Sequence, residues 1–130
     1  MRKNQFQWRK RKISNGAIET DYGPLVSEII LYIEAHYSEH LTLSALAAMC
    51  RLSQAALTQH FKQETGTTVM RYVMNYRIRT AEKFLAADEM PIKEISARCG
   101  FKTVQHFTRV FKAQTGQTPL RFRKAKMKTV

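Results

Sequence analysis

The sequence predicts an all-α fold of seven helices, organised as two helix-turn-helix subdomains that a long linker helix joins. Apolar residues recur at the three- and four-residue spacing typical of helices. A helical module also occurs twice, in residues 41–69 and again in residues 91–119. A chain of 130 residues is long enough for one domain with a core, or for two half-sized subdomains that share one. We therefore expect a duplicated helical architecture.

Residues 1–23 are expected to form a basic flexible arm or the stub of a linker. They carry six Lys and Arg residues against two acidic ones, and an Asn-Gly pair gives a turn signal. Phe6 and Trp8 lie among these residues, so contact with a DNA minor groove is the alternative function of the arm.

The first subdomain is predicted to span residues 24–66 and to begin with a helix. Pro24 suits the first position of a helix, and the helical pattern continues to about Ser38. One apolar face is formed by Val26, Ile29, Ile30, Ile33 and Tyr37. Because short helices bury little surface alone, this helix is expected to pack on the module that follows it.

The duplicated module consists of a short helix, a tight turn and a longer helix that ends at a glycine, which is a helix-turn-helix. The helices are predicted at about 43–50 and 54–64, and at about 92–98 and 104–114. Leu43, Leu46, Cys50 and Leu52 match Ile92, Ile95, Cys99 and Phe101 at an offset of 49 residues. Leu57, Phe61, Lys62, Thr65 and Gly66 match Phe107, Phe111, Lys112, Thr115 and Gly116 at an offset of 50. We place the extra residue at Lys102, which leaves Ser53 and Thr103 as N-caps.

The linker helix is predicted within residues 67–88. No Gly or Pro interrupts the stretch from Thr68 to Asp88, and its wide apolar face indicates packing on more than one side. A helix of about 20 residues is roughly 30 Å long. The second subdomain, residues 89–130, closes with a short helix that starts at Pro119 and with a basic tail.

The basic composition predicts a partner with negative charge. The formal net charge is +12 and the sequence pI is about 10.1, while 44% of the residues are hydrophobic, as in a folded chain. Residues 69–130 hold fourteen basic against four acidic residues, whereas residues 24–68 hold two against four. Nucleic acid fits this distribution.

Several classes of protein are not expected. No apolar run approaches the roughly 18 residues that cross a bilayer, and the basic N-terminus lacks the apolar core of a signal peptide, so we expect a cytoplasmic protein without membrane contact. Cys50 and Cys99 lack metal-ligand spacing, which indicates reduced, buried thiols and no metal site. Because no catalytic or cofactor pattern occurs, neither an enzyme nor a cofactor is expected.

The two modules fit double-stranded DNA. A DNA-binding helix-turn-helix places its second helix in the major groove, and successive major-groove faces lie about 34 Å apart. A linker of about 30 Å is close to this spacing, so we expect one chain to bind two successive grooves as a monomer. The alternatives are a non-specific, nucleoid-type nucleic-acid-binding protein, which would bind random duplexes equally well, and a protein-interaction adaptor, which would bind no duplex.

Outward-facing side chains of the two longer helices are the candidate contacts. Gln pairs with adenine, Arg with guanine, and the methyl groups of Ala and Thr contact thymine. The expected base contacts are Gln54, Ala55, Thr58, Gln59, Val104, Gln105, Thr108 and Arg109, with inward packing as the alternative for Val104. The expected phosphate contacts are Lys62, Thr103, His106, Lys112, Arg121 and Arg123. Because only the second set contains an arginine for the bases, the second module should supply more of the affinity and the first more of the discrimination.

The stretch "IKEISARCGFKTVQHFTRVFKAQTGQTP" resembles the second helix-turn-helix of the AraC/XylS family of bacterial transcription regulators, and residues from about 24 to 123 follow that family's domain. The resemblance implies a seven-helix bipartite fold, DNA binding by both modules and control of transcription initiation through contact with RNA polymerase. By position it implies base contacts from Ala55, Thr58, Gln59, Val104, Gln105 and Arg109.

Two departures from the family pattern are informative. Arg51 stands where the family usually has glycine in the first turn, so a positive φ there would store strain of about 1 kcal/mol. The family's N-terminal effector-binding or dimerisation domain has no counterpart in this sequence. The chain is therefore expected to be a fragment or a short stand-alone member, monomeric as it stands, with dimerisation left to such a domain.

Overall fold

Seven helices and one short pair of strands make up the described structure. The computed structural model describes residues 12–14, 17–19, 22–87 and 89–128. Strands β1 (Lys12–Ser14) and β2 (Ala17–Glu19) pair antiparallel, with Ile13 opposite Ile18. The helices are α1 (Pro24–His36), α2 (Leu43–Met49), α3 (Gln54–Thr65), α4 (Val69–Ala87), α5 (Ile92–Arg98), α6 (Val104–Thr115) and α7 (Pro119–Lys128). The predicted class and number of helices are confirmed.

The strand pair is an addition to the predicted fold, because residues 1–23 were expected to hold no regular structure. Most of this predicted arm lies outside the described residues, namely residues 1–11, 15–16 and 20–21. Within the described part, residues 12–14 and 17–19 are extended and hydrogen-bonded to each other.

The helical part of the chain forms two compact units. The first unit comprises the described part of Met1–His36 together with Leu41–Val73, and the second comprises Tyr37–His40 together with the described part of Met74–Val130. Helix α4 supplies residues to both units, since the boundary follows Val73. The predicted linker helix is therefore also part of two hydrophobic cores.

The core of the first unit lies between α1 and the two helices of the first module. Val26 and Ile33 of α1 are fully buried, as are Leu57 and Phe61 of α3, and all four belong to one cluster. Complete burial of such a side chain stabilises a fold by about 1.5–3 kcal/mol. The expectation that the first helix packs on the first module is confirmed.

Aromatic side chains dominate the core of the second unit. Phe107 and Phe111 of α6 are fully buried and approach edge to face, with ring centroids 5.6 Å apart. Phe111 makes a second such contact with Phe122 of α7, at 5.4 Å. In the first unit Phe61 and Tyr72 form the equivalent pair at 5.5 Å, so the duplication includes the geometry of the core.

Both longer helices of the modules begin and end as predicted. The hydroxyl oxygen of Ser53 accepts from the backbone N–H of Ala56 at 3.0 Å, and that of Thr103 accepts from His106 at 3.0 Å. Gly66 and Gly116 end the helices with φ of 80° and 85°, a left-handed conformation that favours glycine. These caps fix where α3 and α6 start and stop.

Candidate nucleic-acid interface

Helix α3 presents the four predicted base contacts of the first module away from its core. Leu57 and Phe61 point inward and are fully buried. Around them, exposed or half-buried side chains form the opposite face of the helix: Gln54, Ala55, Thr58, Gln59 and Lys62. Of these only Thr58 is half-buried. The residues are small or neutral apart from Lys62 at the end of the helix.

Helix α6 has the same arrangement with a different chemistry. Gln105, Arg109 and Lys112 are exposed, and Val104 and Thr108 are half-buried beside them. A shallow depression of about 570 Å³, called here the α6 depression, is lined by Val104, Gln105, Thr108, Arg109, Lys112 and Ala113. The structure therefore brings the four predicted base contacts of the second module together, and Val104 borders this surface instead of packing fully inward.

The turn before α3 and the turn before α6 each contain a residue with a left-handed backbone conformation. Arg51 has φ of 58° in the first module and Gly100 has φ of 93° in the second. The condition that the sequence analysis set for strain at Arg51, a positive φ, is met in the structure. A non-glycine residue in this conformation costs roughly 1–2 kcal/mol. The first turn carries this strain and the second does not.

The second turn is also crowded. A Cβ atom built on Gly100 would lie 2.8 Å from the carbonyl oxygen of Tyr37 and 2.9 Å from Nε of Arg77. Arg77 is itself buried, and its Nε donates to Tyr37 O at 2.7 Å while Nη2 donates to Glu39 O at 2.9 Å. Burial lowers the pKa of Arg77, and the two carbonyl oxygens compensate for the water it loses. Gly100, the Arg77 guanidinium and the carbonyl oxygens of Tyr37 and Glu39 therefore pack against one another at the turn between α5 and α6.

The cysteines occupy equivalent positions in the modules but differ in environment. Cys99 is fully buried, and burial raises the pKa of its thiol to about 12. Cys50 is only half-buried, and burial again raises its pKa. Both are free thiols, and burial is complete only at Cys99, so the predicted reduced state stays a prediction.

Among the predicted phosphate contacts around α6, the Thr103 side chain is held by a hydrogen bond from the backbone. The Thr103 hydroxyl is exposed and accepts from His106 N–H, which leaves its own proton free to be donated to a phosphate oxygen. The His106 ring is half-buried and packs edge-on against Phe101, with centroids 5.6 Å apart. Lys62 and Lys112 are exposed near the ends of α3 and α6. These positions border the outward faces of α3 and α6.

The cations of α7 do not share one environment. Arg121 is exposed, whereas Arg123 is half-buried and its Nε donates to the carbonyl oxygen of Leu85 at 3.3 Å. This hydrogen bond directs Arg123 toward α4. The bond uses one of the five N–H donors of the guanidinium, and the phosphate contacts predicted for Arg121 and Arg123 stay predictions.

Comparison with known proteins identifies the family. The family described as "Helix-turn-helix domain" matches residues 46–125, which is more than half of the chain. The chain belongs to the AraC-type helix-turn-helix family. The resemblance of its second module to AraC/XylS regulators is thereby confirmed.

Individual relatives agree with this assignment. The AraC-type chain is 33% identical over 105 residues to the bifunctional transcriptional activator and DNA repair enzyme AdaA of Bacillus subtilis, covering 81% of the chain and 48% of that protein. Its structure matches the C-terminal domain of AraT, a response regulator from Geobacillus stearothermophilus, with a TM-score of 0.78 and 31% identity over 81% and 88% of the two chains. It also matches an AraC-type DNA-binding-domain transcriptional regulator from Chromobacterium violaceum, with a TM-score of 0.73 and 27% identity over 79% and 92%.

The AraC-type chain spans less than half the length of the curated relatives it matches, 48% of AdaA and 43% of the regulator YdeC of Bacillus subtilis. In the described part of the chain, no helix is long and apolar enough to span a bilayer. Among the same residues, no cluster of three or more His, Cys, Asp or Glu side chains could hold a metal ion.

The AraC-type duplication continues past α3 and α6, which the sequence analysis missed. The backbone N–H of Arg71 donates to the Thr68 hydroxyl at 3.2 Å, and that of Arg121 donates to the Thr118 hydroxyl at 3.2 Å. Arg71 is exposed, as Arg121 is. The signal was present as a Thr-x-x-Arg spacing repeated at the same offset as the longer helices. Arg71 therefore joins the candidate phosphate contacts as the first unit's counterpart of Arg121.

Proposed function

We propose that this chain binds double-stranded DNA sequence-specifically and regulates bacterial transcription initiation, with α3 and α6 in successive major grooves of one duplex. The observation that carries the proposal is the pair of capped helices that each hold an outward set of side chains suited to base edges. Membership of a family that includes DNA-binding regulators supports it. The net charge of +12 supplies the attraction to phosphates.

The chemistry of the two faces differs, and this difference defines the expected specificity. Gln54 and Gln59 can each form a bidentate pair with adenine, whereas Arg109 suits guanine and the methyl groups beside it suit thymine. A bidentate pair discriminates by about 1–3 kcal/mol. We expect the α3 half-site to be A·T-rich and the α6 half-site to contain a guanine next to thymine.

Activation through contact with RNA polymerase in the cytoplasm is the regulatory outcome we propose. The relative AdaA is named a transcriptional activator, which supports activation as the direction of control. AdaA is also named a DNA repair enzyme, but the chain covers only 48% of that protein. We therefore do not carry the repair activity over to this chain.

Selection of binding sites from random DNA at two salt concentrations tests the proposal. The expected result is an enriched site with two half-sites, whose centres lie about one helical turn, 34–36 Å, apart. Footprinting on that site should protect two adjacent major grooves. Uniform binding to all duplexes with a steep salt dependence would instead indicate the non-specific, nucleoid-type alternative, and protection of one groove would contradict joint binding.

A further inference from the structure

Three adjoining depressions on the second unit share lining residues. The α6 depression is the first. The second, about 260 Å³, is lined by Lys112, Gly116, Gln117, Thr118 and Arg121. The third, about 390 Å³, is lined by Gln117, Arg121, Lys124 and Ala125. Because Lys112 borders the first two and Arg121 borders the last two, the three form one continuous surface from α6 along α7.

The four cations of α7 before Lys128 are divided between two faces of the helix. Arg121 and Lys124 are three residues apart, both are exposed and both line the continuous surface. Arg123 and Lys126 are also three residues apart but lie elsewhere. Arg123 donates to Leu85 O, and Nζ of Lys126 lies 5.4 Å from the centroid of the Phe122 ring.

The charge of the continuous surface has one sign. Lys112, Arg121 and Lys124 line its second and third depressions, and among the residues that the structure describes no acidic one lines any of the three. Phosphate is the ligand that such a series of solvent-exposed cations suits, and cations that neutralise DNA phosphates release condensed counterions. Since the surface begins at the predicted base contacts of α6, a duplex seated there would bring its backbone along α7.

We propose that Lys112, Arg121 and Lys124 form a phosphate-binding track for the DNA backbone that flanks the α6 half-site, and that Arg123 and Lys126 take no part in it. This inference rests on the proposed function. It adds Lys124 to the interface. It assigns the Arg121 and Lys124 face of α7 to DNA binding and the Arg123 and Lys126 face to contacts within the second unit.

The test compares two double variants that lose the same charge from the same helix. The affinity of the unaltered chain for its selected site is measured from 50 to 200 mM salt, alongside Arg121→Gln/Lys124→Gln and Arg123→Gln/Lys126→Gln. The slope of log K against log salt should become shallower by about 1.8 for the first variant, at about 0.9 per phosphate contact, and stay unchanged for the second. Lys83→Gln, an exposed cation of α4, serves as a further control that keeps the α7 hydrogen bonds intact.

Two additional measurements distinguish contacts with defined phosphates from non-specific attraction between DNA and a basic protein. Because phosphates carry no sequence information, Arg121→Gln/Lys124→Gln should leave the ratio of affinities for selected and mismatched sites unchanged. Its slope difference should disappear on a duplex shortened to end at the α6 half-site. Equal loss of slope in both double variants would overturn the inference while leaving the proposed function standing. Failure of the unaltered chain to bind any duplex would overturn the proposed function itself, and the track with it.

Discussion

The two helix-turn-helix modules meet the same backbone requirement with different residues. Arg51 in the first turn and Gly100 in the second both adopt positive φ, at 58° and 93°. The first turn can hold an arginine because its side chain is exposed. The second cannot hold any side chain, because the Tyr37 carbonyl and Arg77 occupy the space where a Cβ atom would lie.

This difference shows that duplication preserved the path of the chain but not the surroundings of each turn. In the first module glycine would be favoured by backbone strain alone. In the second it is also required by packing, since the turn closes over a buried guanidinium that binds two carbonyl oxygens. The two positions are equivalent in the repeat and unequal in their tolerance to substitution.

The largest effect is expected for Gly100→Ala. The new methyl group adds strain at positive φ and displaces Tyr37 O or Arg77, so the second unit should lose about 3 kcal/mol of stability. Native-state hydrogen exchange of the α6 amides measures this loss in the unit concerned. Gly116→Ala is the matched control, with φ of 85° and no atom within 4 Å of the new Cβ, and should cost only about 1 kcal/mol. Similar losses in the two variants would show that packing around Gly100 contributes nothing.

Replacement of Arg77 by methionine should destabilise the second unit by about 2 kcal/mol. Methionine keeps an unbranched apolar stem but removes the donors to Tyr37 O and Glu39 O, so two part-buried acceptors lose a charged hydrogen-bond partner. The same exchange measurement applies, extended to the amides of residues 37–40. Lys83→Met, at an exposed position of α4, should change stability by less than about 0.5 kcal/mol. If the two substitutions had equal effects, the hydrogen bonds from Arg77 would not be what holds residues 37–40 in place.

The sequence contained enough local information to predict the duplicated geometry. Ser53 and Thr103 were predictable as caps because a hydroxyl residue before a helical pattern satisfies free backbone N–H groups within the first turn. The repeat likewise aligns Arg51 of the first turn with Gly100 of the second. Helix caps and turn conformations depend on residues within a few positions along the chain, so they can be predicted from the sequence alone.

Contacts between distant residues were not predictable in the same way. Arg77 lies 40 positions from Tyr37, and Arg123 lies 38 positions from Leu85. In the sequence both arginines are simply cations within helical patterns, so one was passed over and the other was assigned to phosphate. Only the packed fold shows that backbone carbonyl oxygens accept hydrogen bonds from both side chains.

On DNA, the comparison between modules predicts that Arg109→Ala costs more affinity than Gln59→Ala. Loss of the arginine removes a charged bidentate donor and should weaken binding to the selected site by roughly 30-fold, about 2 kcal/mol. Gln59→Ala should weaken binding less and mainly relax the preference at one A·T pair of the α3 half-site. Titrations with the selected site and with single mismatches in each half-site measure both quantities. Equal losses of affinity would end the proposed division between an affinity module and a discrimination module.

The smallest effect is expected for Arg51→Gly, which makes the first turn resemble the second. Relief of strain at positive φ is worth roughly 1–2 kcal/mol, but glycine is more flexible in the unfolded chain and this costs about 0.5–1 kcal/mol. The first unit should therefore gain about 0.5 kcal/mol, measured by hydrogen exchange of the α3 amides. Arg51→Ala removes the same charge without relieving φ, so it should give no gain. A gain in both variants would trace the effect to the charge of Arg51, and a loss in the glycine variant would mean that its exposed side chain stabilises the turn by more than the strain it carries.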